Sequence, residues 1–129
     1  MGSKGIVNKT TVTLKDVVES SPILSELLKM ELPIKTSYRI SKLSKKIEAE
    51  VKDYLDKKND LIRKYGKEDE KTKIPSISAQ DTENMSLFNN DHGALLSIEI
   101  EFDFSPIPIS ELGKPDIEPR LLIPWIFTE

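Results

Sequence analysis

His92 is the only histidine of the chain, and Asp91 precedes it. A Ser-His-Asp site could be built only around this imidazole, and a multi-histidine metal site cannot be built at all. The chain has no cysteine, which removes thiolate ligands, thiol nucleophiles and disulfides. These absences point to a non-enzymatic protein with no catalytic residue, cofactor or metal. His92 is then expected on a helix face or turn, half-buried.

Three other groups of residues have chemical potential. Glu99, Glu101 and Asp103 alternate with Ile98, Ile100, Phe102 and Phe104. Alternating carboxylates on one strand face could gather Mg²⁺ or Ca²⁺ with a few waters. An exposed edge strand carries the same charges to block edge pairing, and that reading is favoured. Arg39, Lys42, Lys45 and Lys46 form a basic run, the usual footprint of phosphate binding. The segment they occupy also carries five acids, which repel phosphate, and pairs such as Glu48–Lys52 and Asp53–Lys57 suit a solvated helix face. Nucleic acid is therefore a weaker expectation than a protein partner or self-association. Trp125 and Phe127 close the chain as either core or a docking peptide, with core favoured. All nine residues are carried forward as candidate partner contacts.

Hydropathy and charge indicate the secondary structure on which these groups sit. The 129 residues suffice for a single domain with a modest core. No apolar run approaches the ~20 residues of a membrane span. The N-terminus lacks the apolar stretch of a secretory signal, and Ile6 occupies the position where a myristoylation pattern needs Ser or Thr. Net charge is zero over residues 1–34, +5 over 35–66 and −8 over 67–129. A chain of net −3 thus hides a basic middle and an acidic end.

Residues 1–12 are expected to be flexible. The stretch VTLKDVVES fits a strand or a first helical turn. In SSPILSELLKMEL, Ser21 is read as a cap and Pro22 as the first helical position. Residues 34–66 form one long helix, with Ile40, Leu43, Ile47, Val51, Tyr54, Leu61 and Tyr65 on one stripe and Gly66 as its C-cap. Its length, on the order of 45 Å, exceeds the diameter of a globule of this size. A second helix is placed at 79–96, with Ser78 and Asp81 as its capping pair, although NNDHG is poor helix material. A strand follows at 97–104, and its candidate partners are the N-terminal IVNKTTVTL or a second copy of the strand. Pro106 and Pro108 bar a central-strand position, and Pro119 opens a short helix broken near Pro124.

The fold class expected is α+β: an antiparallel helical hairpin with one long helix, plus a small β or extended C-terminal segment. Ile40 to Leu61 should face Met85, Phe88, Leu95 and Leu96.

The order of these features resembles a family of small tailed-bacteriophage proteins. The resemblance rests on Leu32–Leu43 opening the long helix, Leu61–Gly66 closing it, Ile98–Phe104, Pro106–Leu112, and Leu122–Trp125. It covers about residues 14–127, with NNDHG as a departure. It implies a shared fold and a phage origin, and it supplies no site residues. A minor virion component or assembly factor acting through protein contacts is the expected role, in the host cytoplasm during infection or in the virion. The alternative is an intracellular effector that inhibits a host or defence enzyme through its acidic surface.

Overall fold

A computed structural model describes residues 9–129 of the chain. The expected flexibility of residues 1–8 lies outside the described residues. Residues 9–12 are not a tail: they belong to strand β1 (Lys9–Thr13), which pairs antiparallel with β4 (Glu99–Asp103) from Lys9↔Asp103 to Thr13↔Glu99. Backbone pairing with β4 supplies the order, and the partner is the N-terminal stretch that the sequence offered as a candidate.

Helix α1 (Leu14–Leu28) follows β1 directly. Its start is a reciprocal cap: the Thr13 hydroxyl accepts from the Asp16 amide, and the Asp16 carboxylate accepts from the Thr13 amide. Neither Ser21 nor Pro22 begins the helix. Pro22 sits inside it, on the exposed side, and leaves the Val18 carbonyl without its usual donor. The helix tolerates this because Val17, Leu24 and Leu27 are fully buried, so tertiary packing outweighs the local loss.

Helix α2 (Ile34–Tyr65) is the expected long helix. It forms a hairpin with α1, the main helix packed on its first half. The sequence reading assigned that role to the second helix, α3 (Thr82–Leu96), which also packs on α2 but contributes no buried residue. The reason is composition: α1 offers a continuous aliphatic face, whereas α3 carries Asn89, Asn90 and Asp91 mid-helix. Ile40, Leu43 and Ile47 are buried with α1 and the C-terminal segment in one core. After Tyr54, no α2 residue is fully buried. The molecule is thus a packed body continued by a thinly packed arm.

The arm is closed by a small hairpin, β2 (Lys67–Glu68) with β3 (Pro75–Ser76). Gly66 has an extended backbone, so handedness does not demand glycine there. A Cβ would instead collide with the Ser76 and Ile62 carbonyl oxygens. α3 starts at Thr82, later than residue 79, because Asp81 is the cap: its carboxylate accepts from the Asn84 amide at 3.2 Å. NNDHG does not interrupt α3. Gly93 is exposed there, with open space around its Cβ position.

β4 is shorter than residues 97–104. The Phe104 amide donates to the Phe102 carbonyl at 2.9 Å, a tight turn that ends the strand. Ile98 precedes the strand, is 49% exposed, and offers its carbonyl to the Leu14 amide. The rest of the chain wraps the body. β5 (Ile107–Pro108) and β6 (Phe127–Thr128) pair in parallel, and short 3₁₀ turns cover Ile109–Leu112 and Pro119–Leu121.

Candidate functional site

The first half of α2 carries the basic candidates. Arg39 is committed internally: its guanidinium donates to the Ser105 carbonyl at 3.1 Å and to the Glu111 carboxylate at 3.3 Å. Thr36, one turn earlier and buried, donates to the Glu111 carbonyl at 2.7 Å. Together they fasten the C-terminal segment to the helix. Lys42 lies over the Tyr38 ring, 5.4 Å from its centroid. Lys45 and Lys46 are exposed and form no ion pair among the described residues.

The acidic candidates run alongside. Glu99, Glu101 and Asp103 are exposed on the outer face of β4. Glu101 pairs with Lys9 at 3.0 Å, and this carboxylate raises the Lys9 pKa. Asp103 enters a groove of about 230 Å³ with Arg39, Lys42 and Lys46, floored by Leu43 and Phe104. The fold therefore joins part of the basic set to one member of the acidic set. Glu99, Glu101 and Lys45 stay outside that groove. Among the described residues, no cluster of three His, Asp or Glu side chains could hold a metal ion.

Trp125 and Phe127 lie elsewhere and serve the fold. Phe127 is 4% exposed, so a folded chain cannot offer it to a partner; that candidate is corrected to core. Trp125 is half-buried, stacks on Phe102 at 5.6 Å and meets Phe104 edge-on at 6.4 Å. Its indole N–H donates to the Ser20 hydroxyl at 2.9 Å. A groove of about 390 Å³ between α1 and the C-terminal segment exposes its remaining edge.

His92 faces α2. The Tyr54 hydroxyl and His92 Nε2 are 2.7 Å apart, and Phe88 stacks on the imidazole at 5.2 Å. Burial, with Lys58 nearby, lowers the His92 pKa, and burial raises that of Tyr54. Both shifts keep the phenol protonated and the imidazole neutral at pH 7, so Tyr54 donates to Nε2. One residue earlier, Asp91 accepts from the Tyr65 hydroxyl at 2.6 Å. These two bonds hold α3 to the arm.

The sequence reading missed two exposed apolar features. Ile34 and Tyr38 are 81% and 63% exposed, one turn apart at the start of α2. At 100° per residue they lie roughly 120–160° round the helix from Ile40, on the side of Lys42 and Lys45. The visible signal was an i,i+4 apolar pair off the buried stripe. The second feature is a groove of about 520 Å³ between α2 and α3, lined by Leu61, Ala94, Leu95 and Ile98 and rimmed by Lys57, Asp60 and Asp91. No sequence signal locates it, because it exists only where the two helices meet.

No protein-family model matches the chain, and neither a curated protein nor a solved structure does. Among the described residues, no helix is long and apolar enough to cross a membrane.

Proposed function

We propose that this is a non-enzymatic bacteriophage protein that acts by protein–protein contact, as a minor virion component or assembly factor. The observation that carries the contact reading is the surface of α2. Ile34 and Tyr38 stand out from the helix beside Lys35 and Lys42, where burial by a partner removes apolar area from water. Aromatic residues such as Tyr38 are enriched at protein interfaces relative to the rest of the surface. The phage origin rests on the resemblance in motif order from Leu32 to Trp125 described above, and on that reading the chain works in infected cells or in the particle.

Mass spectrometry of purified particles of the encoding phage tests the role. Recovery in fixed ratio to the other subunits supports a virion component. Absence from particles, with abundance in infected cells, removes that role and leaves the assembly factor, to be sought by pull-down.

A second reading has its own observation. Residues 81–103 hold six acids and no Lys or Arg. An effector that inhibits a host or defence enzyme could present this surface as a nucleic-acid mimic. Changing Glu99, Glu101 and Asp103 to Lys should abolish inhibition on that reading and leave particle assembly intact on the first.

A further inference from the structure

We infer that the first half of α2 binds single-stranded nucleic acid without regard to sequence, with Lys35, Lys42, Lys45 and Lys46 on the phosphates and Tyr38 stacked on a base. The inference goes beyond the protein-contact reading and is tested apart from it, since particle composition does not depend on oligonucleotide binding.

Three observations carry it. The first is where the charges stand. The five acids of α2 begin at Glu48, so the helix from Ile34 to Ile47 carries bases alone. At about 100° per residue, Lys35, Tyr38, Lys42, Lys45 and Lys46 fall in a sector roughly 100° wide, on the side away from buried Ile40. All five are exposed, and the four lysines form no ion pair among the described residues. The patch runs about 17 Å along the helix. Lys42 and Lys46 also line the groove of about 230 Å³, which gives a strand a concave edge to follow. Asp103 is the carboxylate of that groove, and Glu111 is taken by Arg39. Four ammonium groups against Asp103 leave the patch positive.

The second observation is residue type. Lysine is a flexible point charge that suits phosphate, and protein interfaces are depleted in it. A phosphate chain therefore fits this face better than an acidic protein does. Tyr38 is 63% exposed, and the Lys42 ammonium lies 5.4 Å from its ring centroid. A ring among cations stacks on any base. A duplex keeps its bases inside and would leave Tyr38 unused, whereas a single strand engages both the ring and the lysines. The third observation concerns specificity. Ile34 to Ile47 contains no Asn or Gln, and its one arginine, Arg39, is held by the Ser105 carbonyl and Glu111. The side chains that read base edges are thus absent from the face or occupied, so binding ignores sequence.

Fluorescence anisotropy of a labelled oligothymidine of about 15 nucleotides, titrated with the full chain, tests this. The Kd should fall in the range of roughly 10⁻⁴–10⁻⁶ M, and log K should decline against log salt with a slope no steeper than about −3, from ~0.7 per lysine. Lys45→Glu should weaken binding roughly fivefold or more and flatten that slope. Tyr38→Ala should weaken it roughly 5–150-fold and leave the slope unchanged. Lys15→Glu makes the same change of net charge on exposed α1 surface and should leave binding nearly intact. Circular dichroism checks that each variant keeps its helices. No binding at about 1 mM protein in low salt overturns the inference. So does equal weakening by Lys15→Glu, indifference to Tyr38→Ala, or a duplex of the same length bound as tightly as the single strand. Displacement of the oligonucleotide by polyglutamate at equal charge concentration also overturns it and assigns the face to an acidic protein. Oligonucleotide binding by a chain absent from particles would refute the virion role and spare this inference. Fixed-ratio recovery from particles without such binding would do the reverse.

Discussion

Replacing Phe127 by Ala should cost far more than altering its neighbour Trp125. Phe127 is 4% exposed, its backbone pairs with Ile107, and it belongs to the same core as Leu24, Ile40 and Ile47. Removing a buried phenyl ring costs about 3–5 kcal/mol. A chain of this length has a total stability of roughly 6–19 kcal/mol and an unfolding entropy of about 0.27 kcal/mol/K near its melting point. The melting temperature should therefore fall by roughly 11–18 °C. Trp125→Phe keeps most of the stacking surface and loses the indole N–H bond to Ser20. The Ser20 hydroxyl still donates to the Asp16 carbonyl at 2.7 Å, so no buried donor is stranded. That change should cost only about 0.5–1.5 kcal/mol, or roughly 2–6 °C. Thermal melts by far-ultraviolet circular dichroism measure both, and the emission of the sole tryptophan gives a second probe for Phe127→Ala. A Phe127→Ala variant that melts within a few degrees of wild type would show that the terminal aromatic is not core. The same conclusion would follow if Trp125→Phe proved the more damaging change. On the same grounds, truncation after Leu121 removes Ile123, Ile126 and Phe127 and should unfold the chain rather than merely cost it a partner.

Three further outcomes are expected. Thr13→Ala removes one half of the reciprocal cap on α1 and should lower stability by about 1 kcal/mol, read in a denaturant titration with unchanged slope. Gly66→Ala drives a Cβ into the Ser76 and Ile62 carbonyls and should cost about 1–3 kcal/mol, with amide exchange accelerating first in β2 and β3. Gly93→Ala is its control: it meets open space inside a helix and should be neutral or stabilising by up to about 1 kcal/mol. The His92 pKa is depressed in the folded chain, by burial first and Lys58 second, so the unfolded chain takes up the proton more readily. Stability from this group is whole above the ordinary histidine value of about 6.5 and declines as pH falls from there through the folded value. Melts between about pH 8 and 5 should show that decline, and His92→Gln should flatten it.

The fold offers a physical reason why its two ends behave differently. Arg39, Thr36 and the β5–β6 pair fasten the C-terminal segment to the first half of α2, where Ile40, Leu43 and Ile47 are buried. The second half holds α3 by two phenolic hydrogen bonds and partial burial alone. Local opening should therefore start in the arm.

Residue chemistry by itself determined several features. The three- and four-residue spacing from Ile40 to Tyr54, continued seven residues on by Leu61, required a long helix, because only a 3.6-residue period puts those side chains on one side. The alternation through Ile100 and Phe102 required a strand with a covered face, and a lone strand required a partner, which the fold supplies from the N-terminal segment and not from a second copy. The α+β hairpin followed from these. The start of α1 was also legible, since Thr13 and Asp16 have the spacing of a reciprocal cap, but Pro22 drew attention as a boundary instead.

Tertiary structure decided the rest, because it depends on which surfaces compete for one another. Both α1 and α3 could cover α2, and α1 won the aliphatic half because its face carries no polar break. Arg39 reads as a free cation until Glu111 and Ser105 arrive from some seventy residues away. Gly66 reads only as a helix C-cap until β3 passes too close for a Cβ. Exposure of Ile34 and Tyr38, and the groove at Ile98, are properties of what failed to pack on them. Periodicity along a chain records which residues can share a face. Only the folded molecule shows which of those faces remain without cover.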